Sequence, residues 1–256
     1  MLRFASLGSG SEGNALIVEV GDTRLMLDCG FSLAETELRL GRLGLAPTDI
    51  SAVLVTHEHG DHIRGAGKFA RKHRVPVWLT YGTFASQADD FFPSDLVREI
   101  DSHAPFAIGA IEVFPFPVPH DAREPAQFVF GDGTLRFGVL TDVGSTTPHI
   151  ESMLSGLSGL MLEANHDATL LQQSAYPASL KERIGGRFGH LSNAASAHLL
   201  SKLDCSTLQH CVAAHLSRQN NSPDHARAAL APALRCAPDW IGIADQANGI
   251  SWRSLV

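Results

Sequence analysis

Short apolar runs with a period of two dominate this chain and predict strands. Leu2 to Leu7 alternates and then enters a Gly/Ser-rich loop, Gly8 to Gly13. Ala15 to Val20 and Arg24 to Asp28 read as a hairpin turned at Gly21-Asp22. The run Ala52-Val53-Leu54-Val55 reads as a buried strand, and Val75 to Thr80 as another. Ile108 to Phe116, Ala126 to Phe130, Leu135 to Thr141, Gly159 to Glu163, Gln209 to Ala214, Trp240 to Ala244 and Ile250 to Trp252 carry strand patterns too. Gly131-Asp132-Gly133 between two of these runs is a hairpin signal.

Helical spacing appears between the strands. Leu33 to Leu43, Ile63 to Lys72, residues 83 to 92 and residues 192 to 203 are read as helices, the last with Ser192 as its N-cap. Ser222-Pro223 opens a further helix, with serine at the cap and proline in the first turn. The strands fall into two groups, each interleaved with helices, and no linker, low-complexity segment or solenoid repeat intervenes. One domain over residues 1–256 is expected, with two β-sheets packed face to face and helices outside.

Charge and cysteine usage narrow the setting. Acidic side chains outnumber basic ones, 27 to 20, so no chain-wide nucleic-acid-binding surface is predicted. Bound dications would nevertheless add positive charge where an anionic substrate docks. The four cysteines show no CxxC spacing, which fits reduced thiols. The N-terminus lacks an apolar signal-peptide core, and no run approaches the roughly 20 apolar residues of a membrane span. A soluble cytoplasmic protein without a membrane partner is expected.

The chemistry concentrates in Thr56-His57-Glu58-His59-Gly60-Asp61-His62, directly after a predicted strand. A Gly-containing loop at a strand end can aim His57 and His59 at one cation while Asp61 and His62 reach a second. Imidazole with carboxylate and no thiolate suits zinc, manganese or iron rather than a structural zinc site. Three more donors stand at the ends of apolar runs: His120, Asp142 and His215. Strand ends can bring such residues to one rim of a sheet.

The series His-x-His-x-Asp-His, a lone His, an Asp after an apolar strand and a late His resembles the metallo-β-lactamase superfamily. That resemblance implies an α/β fold, the αβ/βα sandwich of two mixed sheets, with two divalent metal ions at one edge. Carried over by position, His57, His59 and His120 would hold one ion, Asp61, His62 and His215 the other, and Asp142 would bridge them. Ser9-Gly10-Ser11-Glu12-Gly13-Asn14, Asp28-Cys29-Gly30, Glu163-Ala164-Asn165-His166-Asp167, Gly189-His190-Leu191-Ser192-Asn193 and the segment from His215 to Asn221 resemble the YycJ/WalJ-type, exonuclease-like branch. Glu12 departs from the small residue expected there. The interval from Asp142 to His215 leaves no room for the inserted domain of β-CASP nucleases.

The resemblance implies a phosphodiesterase, a nuclease or exonuclease on DNA or RNA, using metal-activated hydroxide. Asp61 would orient that nucleophile or take its proton. Gly189-His190-Leu191-Ser192 resembles the acid-bearing loop of tRNase Z, so His190 is the candidate proton donor and Glu163 the carboxylate that holds its imidazolium. Lys181, Arg183, Arg187, Arg218, Asn220 and Asn221 are candidate phosphate contacts. Asp28 is expected to support the histidine loop. The competing expectation is a hydrolase of a small phosphodiester, thioester or lactone metabolite.

Overall fold

The computed structural model describes residues 1–256. Its strands are β1 (Leu2–Gly8), β2 (Ala15–Val20), β3 (Thr23–Leu27), β4 (Ala52–Leu54), β5 (Val77–Thr80), β6 (Val97–Ile100), β7 (Phe106–Ile108), β8 (Ile111–Pro117), β9 (Ala126–Gly131), β10 (Arg136–Leu140), β11 (Gly159–Glu163), β12 (His210–Ala214), β13 (Gly242–Ile243) and β14 (Ile250–Leu255). The helices are α1 (Leu33–Arg42), α2 (Gly60–Ile63), α3 (Ala66–His73), α4 (Tyr81–Ala85), α5 (Pro148–Leu154), α6 (Ala168–Gln173), α7 (Ala178–Ile184), α8 (Asn193–Lys202) and α9 (Pro223–Leu234). No helix is long and apolar enough to cross a membrane.

Two seven-stranded sheets result, in the orders β14-β1-β2-β3-β4-β5-β6 and β13-β12-β11-β10-β9-β8-β7. Both are mixed and built alike. In the first, β1 to β3 form an antiparallel meander and β3 to β6 run parallel. In the second, β7 to β10 are antiparallel and β10 to β13 parallel. The C-terminal ends of the parallel strands are where α/β sheets present loops for chemistry.

Side chains alternate across each strand, so one face of β2 (Leu16, Val18, Val20) joins the core between the sheets while the other (Ala15, Ile17) meets the outer helices. Both faces are buried, which fits a β2 that is apolar throughout except for Glu19. Phe4 of the first sheet stacks on Phe137 of the second with ring centroids 4.0 Å apart. The outer face of the first sheet is covered by α1 and α3 through Leu40, Phe69 and Ala70. The second is covered by α5, α8 and α9 through Ile150, Leu199 and Leu230.

The structure departs from the sequence reading in four places. The expected helix from Ile63 to Lys72 is split into α2 and α3. Gly65 stands at the break, where the chain passes so close that a Cβ would lie 2.1 Å from the Phe31 carbonyl oxygen. The helix expected over residues 83–92 is α4, which starts earlier because Thr80 caps it and stops at Ala85. Beyond it, Arg71 binds the Asp90 carbonyl at 2.6 Å, and Pro93 disfavours helical backbone at Phe92. The expected strand from Trp240 to Ala244 starts instead as a 3₁₀ turn, Pro238–Trp240, led by its proline. Finally, β6, β7 and α5 to α7 were not expected as separate elements.

Candidate metal centre and acid–base pair

Most of the sequence-predicted site residues lie at or just beyond strand ends, while Asp61 and His62 fall in a short helix and His190 in the segment between α7 and α8. Asp28 follows β3, His57 follows β4, His120 follows β8, Asp142 follows β10, Glu163 ends β11 and His215 follows β12. Asp61 and His62 sit in α2, immediately after His59. Asp28, Asp142 and His215 all take left-handed backbone, with φ of 61°, 52° and 54°. That conformation costs about 1–2 kcal/mol for a residue with a Cβ. Three such residues stand at one rim, and backbone strain of this kind clusters at functional sites. Gly30 is fixed by the same crowding, because a Cβ there would lie 1.7 Å from the Asp61 carbonyl oxygen.

The first donor group is His57, His59 and His120. His57 Nε2 lies 3.0 Å from His59 Nδ1, and His120 Nε2 lies 3.2 Å from the same His59 atom. The opposite nitrogens are held by the protein. His57 Nδ1 meets Thr56 Oγ1 at 2.9 Å, and His120 Nδ1 donates to the Gly189 carbonyl at 3.2 Å. Burial and the neighbouring His62, His120 and His59 push the His57 pKa well below its ordinary value. Burial likewise lowers that of His120. Neutral imidazoles are the form that ligates a metal.

The second group is Asp61, His62 and His215, joined by Asp142. His62 Nε2 stands 2.6 Å from Asp142 Oδ2 and 3.6 Å from Asp61 Oδ2. His215 Nε2 stands 3.5 Å from both Asp61 Oδ2 and Asp142 Oδ1. Asp28 accepts from His62 Nδ1 at 2.7 Å and from the Thr56 backbone N–H at 2.8 Å, the supporting role expected of it. Burial opposes ionisation of Asp142, but His215 and His62 hold its carboxyl well below the usual range. Burial also opposes charge on His62, yet the Asp142, Asp28 and Asp61 carboxylates raise its pKa well above the ordinary value.

This donor set fits divalent cations. Ligands about 2.0–2.1 Å from a tetrahedral ion stand about 3.3 Å from one another, close to the spacings just given. Asp142 Oδ2 and His215 Nε2 are buried yet make no hydrogen bond within the chain, although both face other donors. The short His62–Asp142 approach therefore lacks hydrogen-bond alignment, as expected of groups pointed at a common third atom. An unpaired buried polar atom costs about 1–3 kcal/mol, which a bound cation would relieve.

Glu163 and His190 adjoin the second group. Glu163 is fully buried and accepts from the backbone N–H groups of Asp142 (3.2 Å), Val143 (3.2 Å) and Leu191 (2.9 Å). Its Oε1 also meets His190 Nδ1 at 2.9 Å, and Asp142 Oδ1 lies 3.2 Å from the same nitrogen. Burial disfavours the imidazolium, but Glu163 and Asp142 together raise the His190 pKa well above its ordinary value. Glu163 ties β10, β11 and the 190 loop together.

The candidate phosphate contacts are less free than expected. Arg183 is paired with Asp121 at 2.7 Å, Arg218 with Glu12, and Lys181 binds the Gln172 carbonyl at 2.6 Å. Arg187 packs over Phe188. Asn220 is fully buried, and Asn221 binds the Ala164 carbonyl and Asn193, so neither amide is offered to a substrate. Sequence reasoning gave no role to Thr56, Asp121 or Asn165. Thr56 orients His57, and Asn165 donates to the His215 carbonyl at 2.9 Å. Asp121 lies 3.5 Å from His120 Nε2, and its place directly after a candidate ligand was the only available signal.

A mixed two-sheet sandwich with this buried His/Asp rim defines a metal-dependent hydrolase. Comparison with known proteins agrees. Residues 23–215 match the beta-lactamase superfamily domain. The chain is 33% identical over 241 residues to the exodeoxyribonuclease YycJ of Bacillus anthracis, covering 91% of this chain and 89% of that one. It is 29% identical over 249 residues to the exodeoxyribonuclease WalJ of Streptococcus pneumoniae, covering 94% and 91%. Its fold matches that of Zn(2+)-bound PqqB from Methylobacterium extorquens with a TM-score of 0.76, at 17% identity and over 99% and 100% of the two chains. The chain belongs to the metallo-β-lactamase superfamily, in its YycJ/WalJ-type branch.

Proposed function

We propose that this protein is a dinuclear metal-dependent phosphodiesterase, an exonuclease acting on DNA or RNA in the cytoplasm. The observation that carries this reading is the Glu163–His190 pair, seated 3.2 Å from Asp142 at the edge of the donor cluster. Phosphate-ester cleavage needs a proton for a poor leaving group, and a charged imidazole beside the scissile bond supplies it. Thioester cleavage needs such a donor much less. The nuclease names of the two relatives support the same substrate class.

His57, His59 and His120 would hold one cation, Asp61, His62 and His215 the second, with Asp142 shared. Zinc or manganese suits these ligands, and iron is compatible with them. Cations held there would acidify water and neutralise charge on a phosphoryl group. Asp61 would orient the attacking water and accept its proton. Glu163 and Asp142 hold the Nδ1–H of His190, which leaves Nε2 to protonate the departing oxygen. Asp28 would fix the orientation of the His62 ring.

A single panel tests the reading. Metal-loaded protein is offered bis-p-nitrophenyl phosphate, a thioester, and end-labelled single- and double-stranded oligonucleotides. Progressive shortening of an oligonucleotide is the expected result. Turnover of the thioester alone would overturn the proposal.

A further inference from the structure

His190 is a wall of two cavities. One, of about 380 Å³, holds Asp61, Asp142 and His215 on its surface. The other, of about 490 Å³, shares His190 as a wall and is lined by His166, Leu171, Gln172, Lys181 and Ser192 among others. Resting on the nucleic-acid reading above, we infer that the second cavity takes the nucleoside on the leaving side of the scissile phosphodiester.

Three observations lead there. The first is position. His190 Nδ1 is held by Glu163, which leaves Nε2 for the leaving oxygen, and His190 lines both the cavity that holds Asp61, Asp142 and His215 and the second one. The second cavity therefore adjoins the first at the proton donor, and its size suits a small organic unit. The second is charge. Lys181 and Glu182 both line the cavity, so their charges offset, and Lys181 is anchored on the Gln172 carbonyl. Leu171, Ala168, Ala195 and Leu191 supply apolar wall. With Lys181 and Glu182 offsetting each other, the remaining charge of the lining is that of His190, whose proton goes to the leaving oxygen; the rest of the wall fits a sugar and base better than a phosphate.

The third is His166. It is buried, and its Nδ1 meets Asn165 Oδ1 at 3.2 Å. The Asn165 amide is oriented by its donation to the His215 carbonyl at 2.9 Å, so Oδ1 accepts and His166 Nδ1 carries the proton. Burial lowers the pKa of this ring and keeps it neutral. Nε2 is then a lone-pair acceptor with no hydrogen bond inside the chain, suited to a hydroxyl or amino group of a nucleoside.

Two substitutions test the assignment. Ala178 is exposed at the rim of the cavity, at the start of α7, where Ala178→Trp narrows the space without touching the core. His166→Phe removes the acceptor. The readout is the ratio of kcat/KM on an oligonucleotide to kcat/KM on bis-p-nitrophenyl phosphate, whose leaving group is small. Each variant is expected to lower that ratio about tenfold, as for a lost specific contact, mainly through KM. Each is also expected to weaken binding of a hydrolysis-resistant phosphorothioate oligonucleotide to the metal-loaded enzyme. An unchanged ratio, including one in which both activities fall together, overturns the cavity assignment and leaves the nuclease reading intact. A wild-type enzyme inert on both phosphodiesters overturns the nuclease reading itself.

Discussion

Replacing His190 with alanine separates proton donation from metal binding. His190 is not among the seven proposed ligands, and its ring is held from the side by Glu163 at 2.9 Å and Asp142 at 3.2 Å. Its removal leaves the backbone acceptor and donors of the rim in place, because Glu163 still receives three backbone N–H groups. The expected loss is that of a general acid, about 10²–10⁴-fold in kcat, or about 2.7–5.4 kcal/mol in the barrier. The loss should track the leaving group. An unactivated oligonucleotide needs the full proton, whereas p-nitrophenolate departs with little help. The assay is therefore steady-state turnover of both substrates by wild type and His190→Ala, with metal content measured on the same samples. A large loss on the oligonucleotide and a small one on the activated diester, at equal metal content, is the predicted pattern. Wild-type turnover of the oligonucleotide by the variant would refute the acid role, and so would loss of metal in proportion to activity.

Other consequences are equally direct. Asp28→Asn weakens the acceptor for His62 Nδ1 and should reduce metal affinity by about 10–100-fold, read by competition with a chromophoric chelator; unchanged affinity would exclude a supporting role. Phe137→Ala removes a fully buried ring stacked on Phe4 and should cost about 3–5 kcal/mol in denaturant unfolding, against which a loss below 1 kcal/mol would count. Glu19 bridges Arg3 and Arg24; burial opposes its ionisation, but the two guanidiniums hold its carboxyl below the usual range. A depressed folded-state pKa stabilises the protein above the unfolded value and loses that contribution as pH falls through the folded value. Glu19→Gln should therefore flatten the decline of stability below about pH 4.5, and an unaltered slope would contradict the linkage.

The sandwich was legible because both faces of its central strands are buried. Runs such as Ala15 to Val20, apolar but for Glu19, announced strands whose partners cover them on two sides. The candidate donors come together for a related reason: the segment from His57 to His62, His120, Asp142 and His215 each follow an apolar run, and those strand ends gather at one edge. What sequence could not convey was the geometry between them. The left-handed backbone at Asp28, Asp142 and His215 has no glycine to mark it. The structural load on Glu163 comes from three backbone donors, whose positions follow from the chain's path alone. Edge strands β6 and β7 and the short helices α6 and α7 went unread because they lie at the periphery with little apolar periodicity. The charge pattern did not reveal the acidic partners of Arg183 and Arg218, since only the folded chain brings Asp121 and Glu12 against them.

The most direct measurement is the metal content of reconstituted, extensively dialysed protein, taken beside that of His57→Ala and Asp142→Ala. The account predicts two transition-metal ions per wild-type chain, and a lower stoichiometry in each variant. Fewer than one tightly held ion per wild-type chain, or full occupancy in both variants, would contradict it.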